Sequence, residues 1–285
     1  MSLLFDRVRA LLEGAVDDPA AEAAELLASL AEETGAAHTT PIPGEALEAR
    51  ALALAQRRKA GEPLGYLTGR VRFMGLRLIA APGALVPRPE TELLGETAAA
   101  ALQARAAGGE GLTLLDLCCG AGNLACGITA RLTGLRTWAC DLTDGAVNLA
   151  RRNAEALGLT ARLWVDQGDL FGALAGHGLE GGLDAIVCNP PYISTGRLAK
   201  DRAALLVHEP REAFDGGPYG LSIHQRVVRE APRFLRPGGT LSFEIGLGQE
   251  RQLALLFDRS GAFEPLALHH DREGRPRVAS ARLPG

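Results

Sequence analysis

Four residues offer the clearest chemistry in this chain: Asn189-Pro190-Pro191-Tyr192, set directly after the apolar run Leu183-Asp184-Ala185-Ile186-Val187-Cys188. Such a run, stopped by a polar residue and two prolines, reads as a buried strand ending in a rigid loop. Asn189 carries a carbonyl acceptor on its side chain, and a residue before proline is held extended, which restricts where that side chain points. Pro190 and Pro191 have fixed φ and no N–H, so the loop offers carbonyl acceptors without backbone donors that would repel an incoming NH2 group. Tyr192 adds an aromatic wall. Acceptors beside an aromatic face suit a planar amino or amide nitrogen about to be alkylated, with Asn189, Pro190, Pro191 and Tyr192 as the candidate catalytic set. A proline-rich turn that merely closes a strand fits the four residues equally well. What separates the two readings lies upstream.

From residue 112 the pattern is strand, glycine loop, helix, strand. Residues 112 to 117 are apolar around Asp116, and Cys118-Cys119-Gly120-Ala121-Gly122-Asn123 form the loop. A helix is expected from 124 to about 132, then a strand from 137 to 141 that ends on Asp141, 19 positions after Gly122. Small residues let a backbone approach a nucleotide, and an acid at that distance can accept from both ribose hydroxyls. The loop has neither the Gly-x-Gly-x-x-Gly spacing nor the Gly-Lys-Ser/Thr of a phosphate cradle, which favours a nucleoside without phosphates. A second unit follows, with a helix over 144 to 157, a strand over 161 to 165, and Gln167-Gly168-Asp169-Leu170 at its end. Asp169 there could accept from an adenine amino group. Its alternative is a solvent-facing turn residue.

Three strand ends, at Asp116 to Gly122, at Asp141 and at Asp169, can thus line one nucleoside site, and a fourth delivers Asn189. The elements around them complete an α/β sheet. Residues 3 to about 60 are helical in pattern, with a break at 39 to 44, and 71 to 79 alternate as a hairpin does. Prolines and acids at 87 to 94 start a helix that runs to about 106, where Arg88 and Glu90 read as capping residues, and Gly108 to Gly111 loosen the chain. Residues 194 to 207 read as a polar, mobile flap, and His208 as structural rather than as a base. A helix over 223 to 234 is expected to stop at Arg236-Pro237-Gly238-Gly239, followed by a strand over 240 to 245, a helix over 250 to 257, and a terminal antiparallel hairpin of 263 to 269 with 277 to 282. His269-His270 reads as surface.

The 285 residues are 47% hydrophobic and 22% charged, enough to bury a full core. A net charge of −4 and a pI of about 5.9 give no global field toward nucleic acid, so direct nucleic-acid binding is not expected. Residues 1 to 14 include Asp6, Arg7, Arg9 and Glu13, unlike a signal peptide, and no stretch of 18 apolar residues occurs, so neither a membrane span nor a membrane partner is expected and the location is expected to be cytoplasmic. Five cysteines without Cys-x-x-Cys spacing read as reduced thiols, with no disulfide framework and no metal site.

Pro87-Arg88-Pro89-Glu90-Thr91-Glu92, Asn189-Pro190-Pro191-Tyr192, the stretch His208-Glu209-Pro210-Arg211 to Gly217, Leu235-Arg236-Pro237-Gly238-Gly239 and Phe243-Glu244-Ile245-Gly246 stand in the order found in the HemK/PrmC family, which the chain resembles from about Gly61 onward. The resemblance implies a class I methyltransferase with a Rossmann-like sheet, a terminal antiparallel hairpin and a small N-terminal helical domain. It implies S-adenosylmethionine as methyl donor, S-adenosylhomocysteine as product, and the glutamine side-chain amide of a peptide-chain release factor as acceptor. Asp116, Cys118, Cys119, Gly120, Ala121, Gly122, Asp141, Asp169, Leu170 and Asn189 are the expected cofactor residues. The family usually has Gly-Thr or a similar pair at Cys118-Cys119, and often an aromatic at Leu170. Domains are expected at 1–70 (helical, substrate recognition), 71–86 (linking hairpin) and 87–285 (methyltransferase). A small-molecule or peptide N-methyltransferase stays open as an alternative, with a nucleic-acid base methyltransferase and a non-catalytic binding protein behind it.

Overall fold

The computed structural model describes residues 2–37, 44–106, 111–201 and 206–285. The breaks expected at 39 to 44 and at 108 to 111 lie largely outside these residues. The chain divides into a unit up to Val71 and a larger one from Arg72.

The first unit holds α1 (Ser2–Leu12), α2 (Pro19–Ala37), α3 (Gly44–Lys59) and the short α4 (Leu64–Thr68). Val8 and Leu12 of α1 meet Ala23, Leu26 and Leu30 of α2 and Ala51 and Ala55 of α3 in a shared apolar core. Alanines on α3 let its backbone pack closely, and Gly69 at φ +69° ends α4 in the left-handed conformation. The strands β1 (Arg70–Phe73) and β2 (Leu76–Ile79) form a two-stranded sheet, and the division between the units falls within β1.

The larger unit is a three-layer α/β fold. Its elements run α5 (Glu92–Ala106), β3 (Thr113–Leu117), α6 (Asn123–Arg131), β4 (Arg136–Asp141), α7 (Asp144–Ala156), β5 (Leu163–Gln167), β6 (Leu183–Cys188), α8 (Thr195–Asp201), α9 (Ser222–Phe234), β7 (Leu235–Glu244), α10 (Glu250–Ser260), β8 (Ala267–His270) and β9 (Pro276–Arg282). Among the described residues the sheet has the order β5-β4-β3-β6-β7-β9-β8, parallel through β7, with β9 antiparallel to β7 and to β8. The expected Rossmann-like sheet with a terminal antiparallel hairpin is present.

β3 and β6 are buried along their whole length, which is why they read as near-continuous apolar runs. The acid inside β6, Asp184, is buried and satisfied by the Thr113 N–H at 2.8 Å and the Arg105 Nε at 3.1 Å. Leu115, Ile186, Val227, Leu241 and Phe243 belong to the core that joins sheet and helices, with Phe171 stacked on Phe234 at 4.6 Å.

Two expectations are corrected. The stretch Leu235 to Gly239 is not a free stop after α9 but the first half of β7, where the ladder slips between Leu183 and Ala185 of β6 to absorb the extra residues. The expected flap is helical over Thr195–Asp201 and buries Leu198, so that part of it is anchored. Residues 202 to 205 lie outside the described set.

Candidate active site

Register places the site. Leu117 pairs with Cys140 on one side and Cys188 on the other, so the next residues, Cys118, Asp141 and Asn189, lie side by side at the C-terminal ends of β3, β4 and β6. This is where the chain turns back across β3, the switch point at which open parallel sheets bind ligands. Cys188 pairs in turn with Phe243, which brings Glu244 level with Asn189.

A cavity of about 420 Å³ opens there. Of the expected residues it is lined by Cys118, Cys119, Gly120, Asp141, Asp169, Leu170, Asn189 and Pro191. Asp116, Ala121, Gly122, Pro190 and Tyr192 stand outside the lining. Asp116 lies beneath the loop, fully buried, and its Oδ2 accepts the Ala125 N–H at 2.9 Å at the start of α6. Its Oδ1 has no partner among the described residues. Burial above all, with Asp141 nearby, pushes this carboxyl up to about 8 against the opposing Ala125 bond. Ala121 gives its carbonyl to Asn153 Nδ2, which also donates to Ile79, tying the loop to α7 and β2.

The loop has the shape a nucleoside needs. Gly120 N donates to Asp141 Oδ2 at 3.0 Å, and a Cβ on Gly120 would meet no protein atom within 4 Å, so bare backbone faces open space. Cys118 takes φ +57°, a conformation glycine adopts without strain, and Leu170 takes φ +51°. Both line the cavity, whereas the third such residue among those described, Met74 at φ +47°, lies in the turn between β1 and β2. Asp141 Oδ1 accepts from Thr143 N and Oγ1, which uses both of its lone pairs and leaves one on Oδ2 for a ligand hydroxyl. Asp169 is held by Arg226, whose two terminal nitrogens reach its two oxygens at 3.0 and 2.8 Å.

Arg88 and Arg211 also line the cavity, but each already holds an acid: Arg88 donates to buried Glu209 at 2.5 Å, and Arg211 to Asp215 at 2.9 Å. The lining therefore suits an adenosine group without phosphates. Among the described residues no group of three or more His, Cys, Asp or Glu could hold a metal, and no helix is long and apolar enough to cross a membrane.

Around the prolines the loop is pinned from every side. Ile193 exchanges backbone bonds with Phe214 and Gly216, and Gln249 Nε2 donates to the carbonyls of Tyr192 and Gly220, each at 3.1 Å. Gly216 and Gly220 come so close that a Cβ would lie 2.5 Å from the Pro191 oxygen and 2.3 Å from the Tyr192 oxygen. Asn189 Nδ2 donates to Thr91 Oγ1 at 3.3 Å, leaving Oδ1 without a donor among the described residues. Tyr192 does not wall the cavity. Its hydroxyl donates to Glu244 Oε1 at 3.1 Å, and burial chiefly, then the Glu244 charge, pushes its pKa up. His208 is half-buried and outside the cavity, and His269 meets Ser280 Oγ at 2.8 Å.

Sequence reasoning passes over Thr91, Glu209, Arg226 and Gln249 as site components. Glu244 carries a signal, a carboxylate inside the apolar strand Leu241-Ser242-Phe243-Glu244-Ile245. The others are ordinary polar residues whose partners are distant in sequence.

Residues 98–219 match the family model described as Methyltransferase small domain. Two solved methyltransferases share the fold at low identity: one from Pyrococcus furiosus (TM-score 0.50, 16% identity, 84% of this chain and 98% of that one) and the human methyltransferase 10 domain containing protein (TM-score 0.54, 17% identity, 81% and 93%). Full-length relatives are much nearer in sequence. A protein of Moorella thermoacetica named release factor glutamine methyltransferase is 37% identical over 277 residues, 96% of this chain and 95% of its own, and one of the same name from Streptomyces coelicolor is 34% identical over 99% of both. With that identity over nearly the whole length, on a sheet whose rim brings Asp141 and Asn189 together, the chain belongs to the release factor glutamine methyltransferase family.

Proposed function

We propose that this chain methylates the side-chain amide nitrogen of a glutamine in a peptide-chain release factor, with S-adenosylmethionine as donor and in the cytoplasm. One observation carries the reading: the Asn189 amide lines the same cavity as Asp141, with its NH2 turned back onto Thr91 and its carbonyl oxygen left to accept. The names of the relatives support the acceptor.

The donor fits the cavity. Asp141 would hold a ribose hydroxyl through Oδ2, the Cys118 to Gly122 loop the nucleoside edge, and Asp169 with Leu170 the base, Leu170 by aliphatic contact. When bound, S-adenosylmethionine supplies an electrophilic methyl group on a sulfonium. The chain's own task concerns the acceptor. An amide nitrogen is a poor nucleophile because its lone pair is delocalised into the carbonyl. Asn189 Oδ1 would accept one N–H, orienting the nitrogen and stabilising the charge that develops on it, while the Pro190 carbonyl, expected to accept the other, lies outside the cavity lining. That proton becomes acidic only as the bond forms, so no strong base is required. Pro191 closes the wall, and Tyr192 holds the loop through Glu244. The helical unit up to Val71 offers a recognition surface for the release factor.

Purified enzyme incubated with methyl-labelled S-adenosylmethionine and unmethylated release factor tests the reading. Label on a release-factor glutamine, lost in Asn189→Ala, supports it. Label that enters only a small molecule of a cell extract would move the enzyme to another acceptor.

A further inference from the structure

The motif Pro87 to Glu92 contributes more than a helix start. Thr91 is buried, lies at the end of a single 3-10 turn over Pro89–Thr91, and reaches two partners, one in the loop after β6 and one at the end of β7. Its Oγ1 is 2.6 Å from Glu244 Oε2 and 3.3 Å from Asn189 Nδ2. We propose that Thr91 and Glu244 act as positioning residues that decide which way round the Asn189 amide is held, so that its oxygen and not its NH2 group faces the acceptor. The inference rests on the amide-methylation reading for its functional consequence.

The argument is one of proton counting. An asparagine amide has nearly the same shape in its two orientations, so packing alone does not choose between them. A hydroxyl has one proton and two lone pairs, and an ionised carboxylate only accepts. Glu244 is faced by two hydroxyl donors, Thr91 on Oε2 and Tyr192 on Oε1 at 3.1 Å, and by the charge of Arg277, whose Nη2 lies 3.6 Å from Oε1. The Thr91 proton is therefore committed to Glu244, and toward Asn189 the hydroxyl can only accept. Asn189 must present its NH2 to Thr91, and its carbonyl is left for the cavity. Reversing the amide would set a carbonyl against a hydroxyl with no proton to give, and would offer an incoming NH2 group donors instead of an acceptor. The sheet builds this arrangement in, because the Cys188–Phe243 pairing holds Glu244 level with Asn189.

Two measurements on the full-length enzyme test it. The first needs no substrate. In isotope-labelled protein, the Nδ2 protons of Asn189 should show nuclear Overhauser contacts to the Thr91 side chain. Their absence, with the amide reversed, would overturn the proposal whatever the acceptor. The second is turnover of release factor by Thr91→Val, which keeps the shape and removes the hydroxyl, and by Thr91→Ser, which restores it. Loss of orientation should lower kcat by about 10- to 100-fold while KM and S-adenosylmethionine affinity change by less than about threefold, and Thr91→Ser should recover most of the loss. Equal loss in both variants, or a wild-type kcat in Thr91→Val, would sink the idea. Should Thr91→Val prove unfolded by circular dichroism, the Thr91→Ser rate and the Overhauser contacts decide. A wild-type enzyme that leaves release factor unmethylated would reject the acceptor assigned above and leave the orientation to the Overhauser contacts alone.

Discussion

Arg226 of α9 closes on both oxygens of Asp169 at 3.0 and 2.8 Å, joining a helix to the loop after β5 at the edge of the cavity. Both side chains are more than a third exposed, so the pair contributes little to stability, about 0 to 1 kcal/mol. Its effect is on direction. A forked guanidinium fixes the carboxylate plane and leaves each oxygen one lone pair for a ligand.

Arg226→Gln should therefore leave the melting temperature nearly unchanged while weakening S-adenosylmethionine binding by about three- to tenfold, roughly one lost oriented hydrogen bond. Thermal denaturation and titration calorimetry on the same preparation separate the two effects. Unchanged affinity would return Asp169 to the role of a solvent-facing turn residue.

Gly220 has φ +71°, and an added Cβ would sit 2.3 Å from the Tyr192 carbonyl oxygen. Gly220→Ala is expected to cost about 1–3 kcal/mol. The strain falls on the loop that carries Asn189, so kcat should drop more than cofactor affinity. A variant with normal turnover would show that the loop tolerates displacement.

Glu209 is buried, accepts the Val86 N–H at 3.0 Å and holds Arg88 at 2.5 Å. Glu209→Gln keeps an acceptor for Val86 and loses the charge opposite Arg88. With Arg88 about a third exposed the cost is discounted to about 1–2 kcal/mol. Leu85, Pro87 and Arg88 line the cavity, so weaker cofactor binding should accompany the lower unfolding midpoint. A fall in stability alone would separate this segment from the ligand.

Asp116 gives a pH signature. Its folded carboxyl titrates at about 8, above the unfolded value near 3.9. Between these values the unfolded chain has released a proton that the folded chain keeps, so this group lowers stability as pH rises, by about 1.4 kcal/mol per unit, until the folded carboxyl ionises. Urea titrations from pH 6 to 8 should show a flatter stability profile in Asp116→Asn than in the wild type. Parallel profiles would mean that Asp116 is ionised in the folded enzyme throughout.

Much of this site is legible from sequence because its main residues sit where strands stop. An apolar run followed by Asn-Pro-Pro, or a strand closing on Asp141, marks a position on the sheet without any knowledge of neighbours. Thr91 is opaque for the opposite reason. A threonine among prolines and acids reads as a helix start, and only the pairing of β6 with β7 reveals that it stands between Asn189 and a buried carboxylate. Cys118 shows the same limit. Its departure from glycine is visible in the sequence, but the left-handed backbone that makes the departure strained is not. Leu235 to Gly239 mislead because proline and glycines usually end elements, whereas here a slipped ladder carries them within β7.

Arg277 reaches Glu244 from β9, a strand that closes one side of β7 and is made long after the Asn189 loop. Order of synthesis and order of assembly therefore differ. While the chain is emerging from a ribosome, β3 to β6 can pair and the loop can form, yet the buried carboxylate still lacks a cation and β7 still has an open ladder. A nascent chain halted at that stage would hold a nearly complete pocket with a mobile asparagine and a surface prone to pair with other strands.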